Sequence, residues 1–182
     1  MPIELWLERV PDYARDLRAN LTELLTQPEL SSTQAWGTAL SCAIAARSPR
    51  VTEAIEREAA QHMAAPAILA AKAAAAMMSM TNVYYRFRKL SGNPKYDELP
   101  PNLKMGSFAA LGRGNPDFDL WCLAVSAING CEGCVRGHEH ALREQGIGEE
   151  TVLAAIRIAS VIFSLSAVME TATVEPAVSQ AK

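Results

Sequence analysis

The sequence predicts an all-α fold, on three observations. No stretch of its 182 residues shows sustained apolar–polar alternation or a cluster of β-branched residues, the two signatures of strands. Between breakers, apolar residues recur instead at spacings of three and four. The chain also lies on itself without gaps at an offset of 85 residues. Trp36 then falls on Trp121, Ala39 on Ala124, Ser41 on Ser126, Ala70 on Ala155, and Lys72 meets Arg157. Each half reads as helix, short helix, turn, long helix, so residues 1–182 form a single domain with an internal two-fold repeat.

Taken in order, residues 3–26 carry Leu5, Val10, Tyr13, Ala14, Leu17, Leu21 and Leu24 at helical spacing, which predicts one amphipathic helix bent at Pro11. Ser31-Ser32-Thr33 supplies an N-cap for a helix over 34–46. Ser48-Pro49 ends that helix, and Pro49 opens the next at its first position. Pro66 starts a longer helix over 67–89, alanine-rich at first and then carrying Met77, Met78 and Met80. Residues 90–115 hold so many glycines and prolines that they predict a long irregular crossover. Helices follow over 117–128, from the cysteine-containing segment to about 144, and from 149 to about 172, with a turn at Gly146-Ile147-Gly148. The domain thus divides into an N-terminal half-repeat (1–90), a crossover (91–116), a second half-repeat (117–172) and a frayed tail (173–182).

Composition narrows the function classes. A balance of 17 basic against 20 acidic residues, net −3, argues against a nucleic-acid or anionic-membrane surface. The N-terminus has no basic region followed by an apolar run, and the apolar stretch 63–80 is interrupted by Pro66 and Lys72, so neither a signal peptide nor a membrane span is expected. Four cysteines with one close pair make no disulfide framework and point to a reducing cytoplasm.

The chemistry concentrates in Cys131-Glu132-Gly133-Cys134-Val135-Arg136-Gly137-His138. Asn129-Gly130 is a break, which puts the thiols at a helix N-terminus, where unpaired N–H groups and the dipole favour a thiolate. At about 100° per residue, Cys131 and Cys134 lie about 60° apart and His138 follows one turn beyond Cys134. Glu132 opposes thiolate formation and Arg136 favours it, with the balance open. The stretch reads as a redox dithiol with its own acid/base; a structural zinc uses the same spacing but needs four ligands, and only three are close. The repeat supports a role outside packing, because Cys131, Cys134 and His138 fall on Ala46, Pro49 and Glu53 in the first half. Elsewhere the simplest readings are structural. Cys42 and Cys122 are small core residues, Trp36 and Trp121 core anchors, and Met77, Met78 and Met80 core packing, with the lining of a substrate pocket as the alternative. His140 points away from His138, His62 ends a helix, and Tyr84, Tyr85 and Arg86 belong to an interface or to the edge of the core.

The residues also carry a family likeness. Phe118-Asp119-Leu120-Trp121, Ala124-Val125-Ser126-Ala127-Ile128-Asn129-Gly130-Cys131, Cys134 and His138-Glu139-His140, with Pro11-Asp12-Tyr13-Ala14, Trp36-Gly37-Thr38 and Asn82-Val83-Tyr84-Tyr85-Arg86, resemble the AhpD alkyl hydroperoxide reductases of the carboxymuconolactone decarboxylase-like superfamily. The resemblance covers nearly the whole chain. It implies a homotrimer of all-α subunits with no bound metal or organic cofactor. It also implies a dithiol that takes electrons from the lipoyl domain of a 2-oxo acid dehydrogenase complex, with dihydrolipoamide dehydrogenase behind it. The acceptor implied is an AhpC-type peroxiredoxin, with alkyl hydroperoxides reduced weakly by the protein itself. Carried over by position, Cys134 is the nucleophile that passes through a sulfenic acid, Cys131 the proton donor and resolving thiol, and His138 the proton relay. Two positions depart. Asp119 stands where the family has Glu, about 1.5 Å shorter in reach, so that a water would be one way to span the gap to His138. Gly133 stands where a His is often found. The resulting expectation is a cytoplasmic antioxidant thiol oxidoreductase. The alternatives are a superfamily decarboxylase or isomerase using His138 as base, and a non-enzymatic dithiol switch.

Overall fold

Proline and small residues decide where the helices of this chain begin, end and touch. The computed structural model describes residues 3–112 and 114–171, and all regular structure among them is helical. The expected frayed tail lies outside the described residues.

The single bent helix expected at the N-terminus is instead three pieces: α1 (Ile3–Leu7), a 3-10 turn (Asp12–Ala14) and α2 (Asp16–Leu24). Pro11 holds φ −59° and ψ 154°, an extended conformation, and it has no N–H with which to continue a helix. The next two helices start as the sequence indicates. α3 (Ser32–Ala45) has a capping box: Ser31 Oγ accepts from the Gln34 amide at 3.2 Å, and Gln34 Oε1 accepts from the Ser31 amide at 2.9 Å. α4 (Pro49–His62) is capped by Ser48, whose hydroxyl accepts from Val51 N at 3.2 Å. α5 (Ala65–Ser91) closes on Gly92 at φ +64°.

The segment expected to be irregular contains two short helices, α6 (Lys95–Glu98) and α7 (Gly106–Gly112), because its glycines and prolines bound helical turns rather than exclude them. Asn115 caps α8 (Pro116–Ile128) by accepting from Asp117 N at 3.0 Å. The chain ends, as described, with α9 (Glu132–Glu144) and α10 (Glu149–Thr171).

The core lies among α3, α5, α8 and α10. Buried Ala70, Ala71, Ala73, Ala74 and Ala75 let α5 approach α3 and α8 closely. α10 is long and apolar enough to cross a membrane, yet half of that window is buried against the rest of the domain, which is the signature of a core helix.

Trp121 of α8 is fully buried and donates from Nε1 to Gln34 O at 3.3 Å, so its indole is fixed against α3. A Cβ added at Gly37 of α3 would stand 2.3 Å from the Trp121 ring. Gly37→Ala is therefore expected to destabilise the domain by about 1–3 kcal/mol, the usual cost of overpacking. Denaturant unfolding measures this, and an unchanged midpoint would mean that the helices separate freely.

Candidate active site

The site is built by the hairpin of α8 and α9. Gly130 takes φ +64°, which reverses the chain, and the Cys131 amide then donates to Ser126 O at 3.1 Å. α9 consequently returns along α8, bringing residues from its middle and end to the first turn of α8. Cys131 is the N-cap of α9 and its carbonyl accepts from Val135 N at 2.9 Å. Cys134 lies in the first turn, where amides without helical partners and the positive end of the dipole favour a sulfur anion.

The two sulfurs are bonded to each other, with Cα atoms 5.3 Å apart. They differ in access. Cys131 is 1% exposed, whereas Cys134 is half-buried and opens onto a cavity of about 750 Å³. His138 and Asp119 line the same cavity. Its α9 wall includes Gly133, Gly137 and Ala141, small residues that leave much of the helix backbone uncovered. Opposite stand Met77, Met78, Thr81, Tyr85, Arg88 and Lys89 of α5, with Asp97 of α6 and Met105 just before α7.

Asp119 reaches His138 directly: Oδ1 lies 3.1 Å from Nδ1, so no bridging water is needed. The hairpin packs the two helices closely enough for the shorter side chain to make contact. The contact with His138, helped by a hydrogen bond from Gln145, holds the Asp119 carboxyl below its ordinary value against the opposing effect of partial burial. An ionised Asp119 accepts, so Nδ1 carries the ring proton, and Nε2 is left to exchange a proton in the cavity. Glu132 is drawn into a 2.8 Å pair with Arg136 one turn away, so the two charges flanking Cys134 largely offset each other.

Several contributors had no signal as site residues in the sequence. Asn82 of α5 is buried, donates to Ser126 Oγ at 3.0 Å and accepts from Asn129 Nδ2 at 3.0 Å. Arg86 donates to Asn129 O. This network ties the turn before Cys131 to α5, with Arg86 itself exposed. Met77 and Met78 line the cavity while Met78 is also buried in the core, so both readings of these residues apply; the C-terminal half of α5 passes over α9, and Met80 does not line the cavity. Tyr85 stands at the same cavity, with Tyr84 edge-on to it at 5.3 Å. No sequence signal marked Gln145, whose Nε2 donates to Asp119 Oδ2 at 3.0 Å.

The residues read as structural behave so. Cys42 and Cys122 are fully buried; burial pushes the Cys42 thiol up to about 12 and the Cys122 thiol higher still, which makes both inert. His62 stacks on Trp36 at 4.7 Å, and exposed His140 faces Glu144 at 3.4 Å. Among the described residues, no group of three or more His, Cys, Asp or Glu side chains converges to hold a metal ion.

Comparison with known proteins bears on this hairpin. A family model described as the carboxymuconolactone decarboxylase family matches residues 94–174, which include the whole of α8 and α9. Over nearly its full length the chain is also similar to proteins named alkyl hydroperoxide reductase AhpD. One, from Solibacter usitatus, is 54% identical over 170 residues, 93% of this chain and 96% of the relative. Another, from Acidobacterium capsulatum, is 48% identical over 171 residues, 93% of each. A third, from a Bradyrhizobium species, is 45% identical over 174 residues, 96% of each.

Proposed function

Because this chain belongs to the AhpD family of alkyl hydroperoxide reductases, we propose that it is a peroxide-reducing dithiol oxidoreductase that draws electrons from a lipoyl group and passes them to hydroperoxides and to an AhpC-type peroxiredoxin. The observation that carries this reading is the unequal exposure of the two bonded sulfurs: one faces a cavity beside a carboxylate–imidazole pair, and the other is covered.

In the reduced state, the Cys134 thiolate attacks the terminal oxygen of the hydroperoxide and the O–O bond breaks, giving Cys134 sulfenic acid and an alkoxide. His138 takes the proton of the Cys134 thiol on Nε2 as the thiolate forms and then gives it to the alkoxide, while Asp119 stabilises the ring for as long as it is charged. Cys131 then attacks the sulfenic sulfur, a disulfide forms and water leaves. A dihydrolipoyl dithiol restores both thiols by exchange and leaves as its own disulfide. With a peroxiredoxin as acceptor, the reduced pair instead opens the partner's disulfide. Steady reduction of this kind fits a reducing compartment, so the location expected is the cytoplasm and the assembly expected is a homotrimer with no bound cofactor.

The test is hydroperoxide-dependent NADH oxidation with dihydrolipoamide dehydrogenase and lipoamide, with and without a peroxiredoxin. Turnover that is abolished by alkylating the reduced thiols supports the reading. A decarboxylase or isomerase using His138 as base would be indifferent to alkylation. The direct Asp119–His138 contact also makes a prediction about chain length. A glutamate at position 119 must fold back to reach Nδ1 and lose its hold on Gln145, so Asp119→Glu is expected to lower turnover by about two- to tenfold. A faster variant would show that the 3.1 Å contact is not the working geometry.

A further inference from the structure

We infer that Gln145 is a positioning residue of the proton relay, its amide committing the Asp119 carboxylate to His138; the inference rests on the relay proposed above. Gln145 is the C-cap of α9 and stands two helical turns beyond His138. Its backbone amide bonds back to Ala141 O and Leu142 O. The turn after it is fixed by Gly146, at φ +79°, and by Ile147 N donating to Leu142 O at 2.9 Å. The backbone that carries the side chain is therefore held by a buried anchor, Leu142.

The side-chain amide is held as well. Nε2 donates to its own helix at Ala141 O, 3.1 Å away, and to Asp119 Oδ2, 3.0 Å away, so both of its protons are used. A flipped amide would set its carbonyl oxygen against both a carboxylate and a carbonyl, which fixes the orientation. Asp119 is thus gripped at each oxygen by α9, by His138 on one and Gln145 on the other. A carboxylate held at one oxygen cannot rotate freely about its Cβ–Cγ bond, so Oδ1 stays on Nδ1 and the ring keeps its proton there. Without Gln145 the exposed side of the carboxylate turns to water, and either ring nitrogen can then carry the proton. The other ionisable groups lining this cavity are Cys134 of α9, Tyr85, Arg88 and Lys89 of α5, and Asp97 of α6. Arg88 is spoken for by Asp97, with Nε 2.9 Å from Oδ1.

The experiment compares the full chain with Gln145→Leu and Gln145→Glu by NMR, following the Asp119 side-chain carboxyl carbon and the His138 ring nitrogens as pH is varied. Gln145 is exposed, so both variants are expected to fold, and circular dichroism checks this. In the wild type, His138 should populate the tautomer protonated at Nδ1. In Gln145→Leu the Asp119 carboxyl should titrate at a higher pH and the ring should divide between tautomers. Gln145→Glu should move Asp119 further in the same direction, because a second carboxylate replaces the donor. Turnover in Gln145→Leu should fall about tenfold in kcat with KM unchanged, a fraction of what general acid catalysis supplies. Unaltered Asp119 titration and His138 tautomer would overturn the inference. The spectra report on the clamp whether or not the protein consumes peroxide, so absence of wild-type turnover would overturn the proposed function alone.

Discussion

Cys134→Ser is expected to abolish lipoamide-linked hydroperoxide reduction, lowering it by at least about a thousandfold, because a hydroxyl in place of the sulfur is neither ionised nor nucleophilic enough at neutral pH to open an O–O bond. Cys131→Ser should end steady turnover to a similar extent, but for a different reason and with a different trace. Cys134 remains at the cavity and still attacks once, so a single equivalent of hydroperoxide is consumed and a sulfenic acid accumulates, detectable by a sulfenic-acid-selective carbon nucleophile and mass spectrometry. The asymmetry follows from access: Cys131 is almost fully covered and meets only its neighbour, whereas Cys134 meets the cavity. If Cys134→Ser kept its activity, or if the burst appeared in Cys134→Ser and not in Cys131→Ser, the two roles would have to be exchanged or withdrawn. Cys42 and Cys122 provide the internal control. Both are sealed in the core with thiols pushed far up by burial, so neither can stand in for the missing sulfur.

The parts of this site legible in the sequence are those that a single hairpin brings together. Cys131, Cys134 and His138 share one helix, so spacing alone sets them on neighbouring faces. Asp119 was reached through the family likeness, and its contact with His138 follows from the reversal at Gly130, a local event that Asn129-Gly130 advertises. What the sequence leaves open is distance. A methylene count at Asp119 does not say how closely α8 and α9 approach, and it is this approach that sets the reach required. The α5 wall was hidden for another reason. Asn82, Met77 and Tyr85 become site residues only through the packing of α5 on α8 and α9, which no local pattern encodes, and an alanine- and methionine-rich helix reads as core until its partners are known. Helix starts were legible wherever a capping residue or proline spoke for itself, as at Ser31, Ser48 and Pro49. The break at Pro11 and the two short helices of the crossover were not, because propensity does not say whether a proline bends a helix, ends it or begins one.

His138→Asn separates proton transfer from scaffolding. The asparagine amide nitrogen occupies roughly the place of Nδ1 and can still donate to Asp119, so the α8–α9 contact survives while the exchangeable nitrogen facing the cavity is lost. Turnover is expected to fall by about a hundredfold, toward the lower end of what a positioned acid/base supplies. The loss should not be uniform across substrates. An alkoxide leaving group of high pKa depends most on being protonated as the O–O bond breaks, so a tertiary alkyl hydroperoxide should suffer more than one whose alcohol is acidic. Stopped-flow rates of the peroxide-oxidation step, plotted against leaving-group pKa, should therefore show a steeper dependence in the variant than in the wild type. Parallel lines would assign His138 to substrate placement instead of proton delivery. The electrostatics of the cavity favour the steeper slope. The imidazole is held by Asp119, which Gln145 holds in turn, and the charges of Glu132 and Arg136 largely offset each other, so the ring is the proton donor that this geometry orients.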